Sequence, residues 1–121
     1  MQEVKIDKNT KGVLVLAKPN GKCPYDEDWI LLIESVYPSH WKNGVKVYEI
    51  RRHASYCLCK DEYDFCAFVS ERPQNWGDVS HYKFYKPTKK QRDLMKNFIT
   101  EKGFKFDKKN NKLIEYDRSY C

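Results

Sequence analysis

The clearest hydrophobic pattern in the chain lies in its last third, where it predicts an amphipathic helix over residues 89–102. The apolar residues recur there at helical spacing and form one predicted buried face: Leu94, Met95, Phe98 and Ile99. Thr88 and Gln91 have the spacing of a capping box, in which each side chain accepts a hydrogen bond from the backbone N–H of the other residue. Gly103 favours the left-handed conformation that ends a helix.

The rest of the hydrophobic pattern predicts short β-strands. Alternation at Phe104 and Phe106 predicts a hairpin over residues 104–116. The other predicted strands are residues 4–6, 13–17, 29–37, 45–52, 54–60, 65–70 and 81–86, the first two as an opening hairpin and 54–60 with 65–70 as another. The strand at 29–37 (WILLIESVY) is apolar enough to be buried on both faces. A turn is expected at 38–44 and a loop at 71–80.

These elements together predict an α+β fold. It consists of an antiparallel sheet or small half-open barrel of about six strands, with one C-terminal amphipathic helix followed by a β-hairpin. A chain of 121 residues is long enough for one hydrophobic core, so a single domain over 1–121 is expected. Within it, residues 1–86 are mainly β, 87–116 form the helix and hairpin, and 117–121 form a tail.

The net charge of +6 is concentrated in the last third of the chain. Residues 81–121 hold 12 Lys/Arg and 5 Asp/Glu, whereas residues 1–80 hold 11 and 12. On the predicted helix, Lys89, Arg92 and Lys96 lie together opposite the apolar face, and Lys108 and Lys109 follow in the next turn. This basic surface is either an ordinary solvated face or a site that binds nucleic acid, a nucleoprotein or an acidic protein surface.

The cysteines and histidines raise the question of a metal site. His53, Cys57, Cys59 and Cys66 are the candidate ligands, because a C-x-C pair on a strand shares one face and Cys66 lies on the predicted partner strand. However, C-x-C is not the usual zinc spacing, and cysteine is often buried as a small apolar residue. The sequence therefore predicts neither a metal nor a cofactor, with this set as the alternative.

Catalytic machinery is not evident in the sequence either. The even spacing of His53 and Cys57 places both on one face of a strand, but about 13 Å apart, which is too far for a base and its nucleophile. The glycines are scattered singly, so there is no phosphate-binding glycine-rich loop. We therefore predict no catalytic residues and a non-enzymatic protein.

Aromatic residues interleaved with basic ones provide a further signal. The segment 81–86 (HYKFYK) alternates rings and charges, as a stacking platform for single-stranded nucleic acid does, with Tyr82 and Tyr85 as the stacking residues. The alternative is that Tyr82 and Phe84 point to opposite faces, one into the core and one under the helix. Trp41 and Trp76 fall in predicted loops, where each is either a lid over the core or a binding anchor.

The chain has an odd number of cysteines, five, and shows neither a secretion signal nor an apolar run of membrane-spanning length. We therefore expect a protein of the reducing cytosol, with free thiols and no membrane association.

The C-terminal third resembles a module of short uncharacterised phage and prophage proteins. The usual form of that module is P-[AT]-T-x-x-E-[KR]-x-x-L, a helix, G-[YF]-x-[WF]-[DN] and a closing K-x-L. The matching residues here are Pro87-Thr88, Gln91, Leu94, 103–107 (GFKFD) and Lys112-Leu113. The chain departs from the pattern at Gln91, where Glu is usual, and at Phe106, where Trp is frequent.

The resemblance covers about a quarter of the chain and implies an origin in a mobile element. It further implies a non-enzymatic anti-defence protein, most concretely an anti-CRISPR inhibitor of an RNA-guided nuclease. Such a protein acts in the host bacterial cytosol on a host protein or ribonucleoprotein complex. The alternatives are an accessory protein that binds DNA or RNA, and a nucleotide-binding sponge or small enzyme with a pocket between sheet and helix.

Overall fold

The computed structural model describes residues 2–21, 27–58 and 67–115. Its elements, in chain order, are β1 (Lys11–Pro19), β2 (Trp29–Lys42), β3 (Val45–Cys57), β4 (Ala67–Asp78), a 3₁₀ helix (Val79–His81), β5 (Tyr82–Tyr85), α1 (Lys89–Glu101), β6 (Phe104–Asp107) and β7 (Lys112–Glu115).

Five of these strands form one antiparallel sheet in the order β4-β3-β2-β1-β5, and β6 pairs with β7 in a separate hairpin. The predicted α+β class with an antiparallel sheet is therefore confirmed. The half-open barrel stays a prediction. Among the described residues, β4 and β5 are the edge strands of the five-stranded sheet.

The centre of β2 is buried on both faces, as predicted for its apolar run. Ile30 and Leu32 pack on the face covered by α1 and the β6–β7 hairpin. Leu31 and Ile33 pack on the opposite face, against β1, β3 and β5 residues. Each of these four side chains is at most 4% exposed. The period of two along the strand therefore divides its apolar side chains between two clusters.

The second face of the sheet carries a hydrophobic cluster to which both edge strands contribute. The 3₁₀ helix alone joins β4 to β5, although these strands lie at opposite edges of the sheet. Trp76 of β4 and Tyr82 of β5 lie with ring centroids 4.4 Å apart. Val4 and Ile6 of the N-terminal segment pack against the same cluster. Side chains of the two edge strands thus meet in one cluster on this face.

Helix α1 has the termini that its sequence predicts. The hydroxyl of Thr88 accepts from the Gln91 backbone N–H at 3.1 Å, and the Gln91 side chain accepts from the Thr88 backbone N–H at 2.9 Å. The predicted capping box is therefore confirmed. Gly103 follows with φ +88°, and the helix buries Met95, Phe98 and Ile99 against the sheet.

The predicted opening hairpin between residues 4–6 and 13–17 is wrong. The N-terminal segment pairs with β5 instead: the Val4 N–H donates to the Phe84 carbonyl at 2.8 Å, and Glu3 bridges Tyr85. The reason is that β1 is paired with β2 on one side and with β5 on the other, so neither of its edges is open to residues 4–6.

The turn predicted over residues 38–44 is confined to the last two of them, because β2 continues through Pro38 to Lys42. Pro38 lies beyond Ser35, the last β2 residue that pairs with β1, so its missing N–H removes no hydrogen bond on that side. The reversal occurs at Asn43 and Gly44, whose φ values are +52° and +77°. Asn-Gly is the residue pair that a tight hairpin turn of this kind favours.

Two predicted strands, 45–52 and 54–60, are one strand in the described residues. β3 runs through His53, where the register with both neighbours shifts between Arg52 and Ala54. The loop predicted over 71–80 is likewise mostly strand, since β4 extends to Asp78. The Arg52 guanidinium supports this polar strand by donating to the backbone carbonyls of Gln74 and Asn75 at 3.1 and 2.8 Å.

Within the described ranges, no helix has both the length and the apolar character needed to cross a lipid bilayer.

Candidate functional site

A groove of about 770 Å³ lies where α1, the β6–β7 hairpin and β1 meet. We call it the α1 groove. Its lining residues are Gly12, Val13, Leu14, Leu32, Arg92, Met95, Lys96, Ile99, Thr100, Phe104, Lys105, Phe106 and Lys108. The groove is therefore built from a strand, a helix and a hairpin that are distant in the sequence.

The interior surface of the groove is largely apolar. Met95 and Ile99, one turn apart on the buried face of α1, form one wall, and Phe104 and Phe106 on alternate positions of β6 line it as well. Val13 of β1 remains 36% exposed, although it is a β-branched residue in the middle of a strand. Packing of helix on sheet thus leaves apolar surface accessible along this seam.

In the part of the chain that the structure describes, no carboxylate lines the groove, whereas four cations do: Arg92, Lys96, Lys105 and Lys108. Arg92 is fixed in part by donating to the Pro87 carbonyl at 3.2 Å. Like charges around a low-dielectric concave surface focus positive potential into it. The α1 groove therefore suits a ligand that combines negative charge with apolar surface.

The structure divides the predicted basic residues into two groups. Arg92, Lys96 and Lys108 line the groove, whereas Lys89 lies within 3.2 Å of the Asp93 carboxylate, and Lys109 is not part of the lining. Arg92 and Lys96 also flank the apolar face of α1 rather than lie opposite it, because Met95 and Ile99 line the same cavity.

Lys105 is a lining residue that the sequence analysis missed. It lies between Phe104 and Phe106 on a strand, so strict alternation places it on the exposed side of β6. The only sequence feature that indicates Lys105 is the positive charge of the C-terminal third. Helical periodicity, which predicted the basic face of α1, does not apply to a residue on a strand.

The aromatic residues predicted to stack on nucleic acid have different environments. Trp76 and Tyr82 contact each other, and Trp76 also meets Trp29 at 6.1 Å between ring centroids. Tyr85 is half-buried and paired with Leu16 in the sheet. Trp76 and Tyr82 are therefore part of an aromatic cluster on the sheet, whereas Tyr85 is a half-buried strand residue.

The interpretation that Tyr82 and Phe84 point to opposite faces is wrong. Their ring centroids lie 6.3 Å apart, and both belong to the cluster on the face away from α1. Residues two apart on a strand share a face, which is the physical reason.

Trp41 differs from the other aromatic candidates because 68% of it is exposed. It lies on β2 near the end of the β2–β3 hairpin, directly opposite Lys46 on β3. The Lys46 ammonium is 5.8 Å from the centroid of the indole ring, within the range of a cation–π contact. Among the four stacking candidates, Trp41 is thus the one whose ring is presented to solvent.

The proposed metal ligands do not converge in the described part of the chain. His53 lies at the irregularity in β3, contacts Phe106 on the helix side of the sheet, and is only 1% exposed. Cys57 pairs with Trp29, whose side chain packs on the other face. The shared face predicted from their even spacing is therefore wrong, because the shifted register at His53 changes the alternation.

Cys59 and Cys66, the other members of that set, lie outside the described residues. In residues 2–21, 27–58 and 67–115, no group of three or more His, Cys, Asp or Glu side chains is arranged to hold a metal ion.

His53 instead joins the sheet to the β6–β7 hairpin. Its Nε2 lies 2.9 Å from the side-chain oxygen of Asn111, and the Asn111 amide nitrogen donates to the Glu34 carbonyl at 2.8 Å. Asn111 has φ +49° in the hairpin turn. This buried contact fixes the position of the hairpin that forms one wall of the α1 groove.

Comparisons with protein-family models, with curated proteins and with solved structures yield no match to this chain.

Proposed function

We propose that the protein is a non-enzymatic binding protein whose α1 groove holds an acidic, partly apolar segment of a partner protein. The observation that carries the proposal is that, among the described residues, four cations and no carboxylate line an apolar cavity. A ligand bound only through its phosphate groups would need the cations but not the apolar lining. The accessible apolar surface of Val13 and Phe104 favours a ligand that buries hydrophobic side chains as well.

In its most concrete form, this partner is a host defence complex, and the protein is a phage-borne inhibitor of an RNA-guided nuclease. The resemblance of residues 87–113 to phage proteins motivates the choice of a host defence complex as the partner. The groove supports only the proposal that an acidic, partly apolar segment binds there. The protein would then act in the bacterial cytosol, by occupying a surface of the partner rather than by chemistry.

The test is affinity capture from host lysate with and without nuclease treatment, comparing Lys108→Glu with Lys109→Glu. These variants have the same charge change on adjacent residues, but only Lys108 lines the groove. We expect Lys108→Glu to weaken capture of one protein severalfold and Lys109→Glu to leave it nearly unchanged, in both lysates. Equal loss in the two variants would contradict the groove and favour a diffuse basic surface.

A helix pair provides a second comparison. Lys96 lines the groove, whereas Lys89 is near Asp93 and outside it. Lys96→Glu should therefore weaken capture more than Lys89→Glu does. Retention of the partner only when RNA is intact would contradict a protein partner and favour a DNA- or RNA-binding accessory protein.

The size of the groove favours one second candidate, a nucleotide-binding protein. A cavity of about 770 Å³ lies within the range of about 300–1,000 Å³ typical of small-ligand sites. A thermal-shift screen against nucleotides tests this candidate, because a ligand at a hundred times its Kd stabilises the folded state by about 2.7 kcal/mol. No shift at millimolar nucleotide would reject it.

A further inference from the structure

The outer part of the β2–β3 hairpin extends beyond the strands that flank it, and Val45 and Lys46 also line a groove with Ile6 and Asp7 of the N-terminal segment. We call residues 38–46 the ribbon; every one of them is exposed. β1 pairs with β2 only as far as Ser35, and β4 pairs with β3 only from Glu49 onwards. Beyond these points, the described residues give the ribbon no neighbouring strand, so it is a two-stranded element with both edges open.

The ribbon carries positive charge and one large exposed ring. Lys42 and Lys46 are its cations, and the sequence from 38 to 46 (PSHWKNGVK) contains no Asp or Glu. Trp41 pairs with Lys46 across the strands and therefore shares a face with it, whereas Lys42 pairs with Val45 on the other face. Each face thus presents one cation beside one exposed apolar side chain.

We propose that the ribbon binds single-stranded nucleic acid, with a base stacked on Trp41 and the phosphates contacted by Lys42 and Lys46. Aromatic stacking combined with cations along the backbone is how single strands are bound without sequence readout. The charge of the ribbon complements the phosphates. A second copy of the chain is a poor occupant, because pairing two ribbons would bring lysines together.

The distribution of apolar surface favours nucleic acid over protein. A standard protein interface buries about 800 Å² on each partner around a contiguous apolar centre. Here the two large apolar side chains, Trp41 at 68% and Val45 at 66% exposed, lie on opposite faces. A stacked base requires only one ring and nearby cations. This inference does not depend on the α1 groove.

The experiment titrates the protein with fluorescein-labelled oligo(dT) and oligo(U), following anisotropy and tryptophan emission at low salt. We expect micromolar-range binding that quenches Trp41. Trp41→Ala should weaken binding roughly five- to a hundredfold, the range expected from losing one stacked base, and Trp41→Phe should retain most of the affinity. Val45→Ala is the matched control, exposed on the same ribbon but on the other face, and should bind as the wild type does.

Salt dependence tests the lysines separately. Replacing Lys42 and Lys46 together by Gln should reduce the slope of log affinity against log salt by about 1.4, because each single-strand phosphate contact contributes about 0.7.

Three outcomes would overturn the inference. One is no oligonucleotide binding at low salt, which would leave a protein contact as the role of the ribbon. Another is preference for a duplex of equal length. The last is binding that Trp41→Ala leaves intact while Lys96→Glu with Lys108→Glu abolishes it, because the nucleic acid would then occupy the α1 groove.

Discussion

Apolar side chains are buried on the side of the sheet that α1 and the β6–β7 hairpin cover, whereas those of the ribbon are exposed to solvent. On the covered side, Met95 and Leu113 are each 1% exposed, packed against the sheet. In the ribbon, Trp41 and Val45 are each about two-thirds exposed. Apolar burial is the main stabilising term in folding, so the same kind of side chain contributes to stability in one region and very little in the other.

This difference indicates where function can be separated from stability. An exposed tryptophan that contributes little to folding can be replaced without unfolding the protein. The cations differ in the same way: Lys96 and Lys108 line a cavity whose walls are core residues, whereas Lys42 and Lys46 lie on an element without a core. Four predictions test the contrast, from the largest effect to the smallest.

Met95→Ala and Trp41→Ala test the contrast directly. Truncating a buried methionine costs about 2–5 kcal/mol of unfolding free energy through lost burial and the cavity left behind. Truncating Trp41 should change stability by less than about 0.5 kcal/mol, as is usual for exposed sites. Urea denaturation of both variants measures the difference. A comparable loss in the two variants would show that the ribbon packs against the body in solution.

Asn111→Ala tests whether the hairpin depends on its buried polar contact. The substitution leaves the Nε2 atom of His53 and the Glu34 carbonyl without their Asn111 partners, at a cost of about 1–3 kcal/mol. Asn111→Gly is the matched variant, because glycine accepts the φ of +49° and separates backbone strain from the lost hydrogen bonds. If Asn111→Gly unfolds at the same urea concentration as the wild type, the contact does not contribute to stability.

Thr88→Ala removes the capping hydroxyl of α1. We expect a loss of about 1 kcal/mol, because the Gln91 backbone N–H then has no side-chain acceptor at the helix start. Thr88→Ser keeps the hydroxyl and should restore most of the stability. Thermal unfolding followed by circular dichroism measures both. A loss that serine does not restore would assign the effect to the methyl group of Thr88 instead.

The α1 region could be predicted from the sequence because its signals are local. A capping box, a helical apolar face and a terminal glycine lie within one continuous segment, and no distant strand alters them. The antiparallel sheet followed from alternation and turn signals, and the double burial of β2 followed from its continuous apolar run. Lys96 and Lys108, which were predicted to lie on one surface, both line the α1 groove, because the β6–β7 turn lies beside α1.

The ribbon and the register shift at His53 could not be predicted in this way, because both depend on which strands are neighbours in the sheet. From the local sequence alone, Pro38 predicts a turn. It is compatible with a strand here because β1 pairs with β2 only as far as Ser35. His53 shares a face with Cys57 only in a regular strand, but the register shifts at His53, whose side chain contacts Asn111, 58 residues away. The Asn43-Gly44 pair is the local signal for the end of the ribbon, and it lies inside the turn predicted over residues 38–44.

The smallest expected effect concerns pH and the β6–β7 turn. Hydrogen bonds from the side chain of Asn110 hold the pKa of Asp107 below its ordinary value, assisted by the Asn110 backbone N–H and by Lys112. Because the folded pKa is below the unfolded one, this stabilisation is fully present above the unfolded pKa and is lost as the pH falls through the folded value. Asp107→Asn should therefore be slightly less stable than the wild type at neutral pH, and the two should converge in acid. Urea midpoints measured across the acidic range test this, and a difference that persists at the lowest pH would mean that Asp107 acts through turn geometry rather than charge.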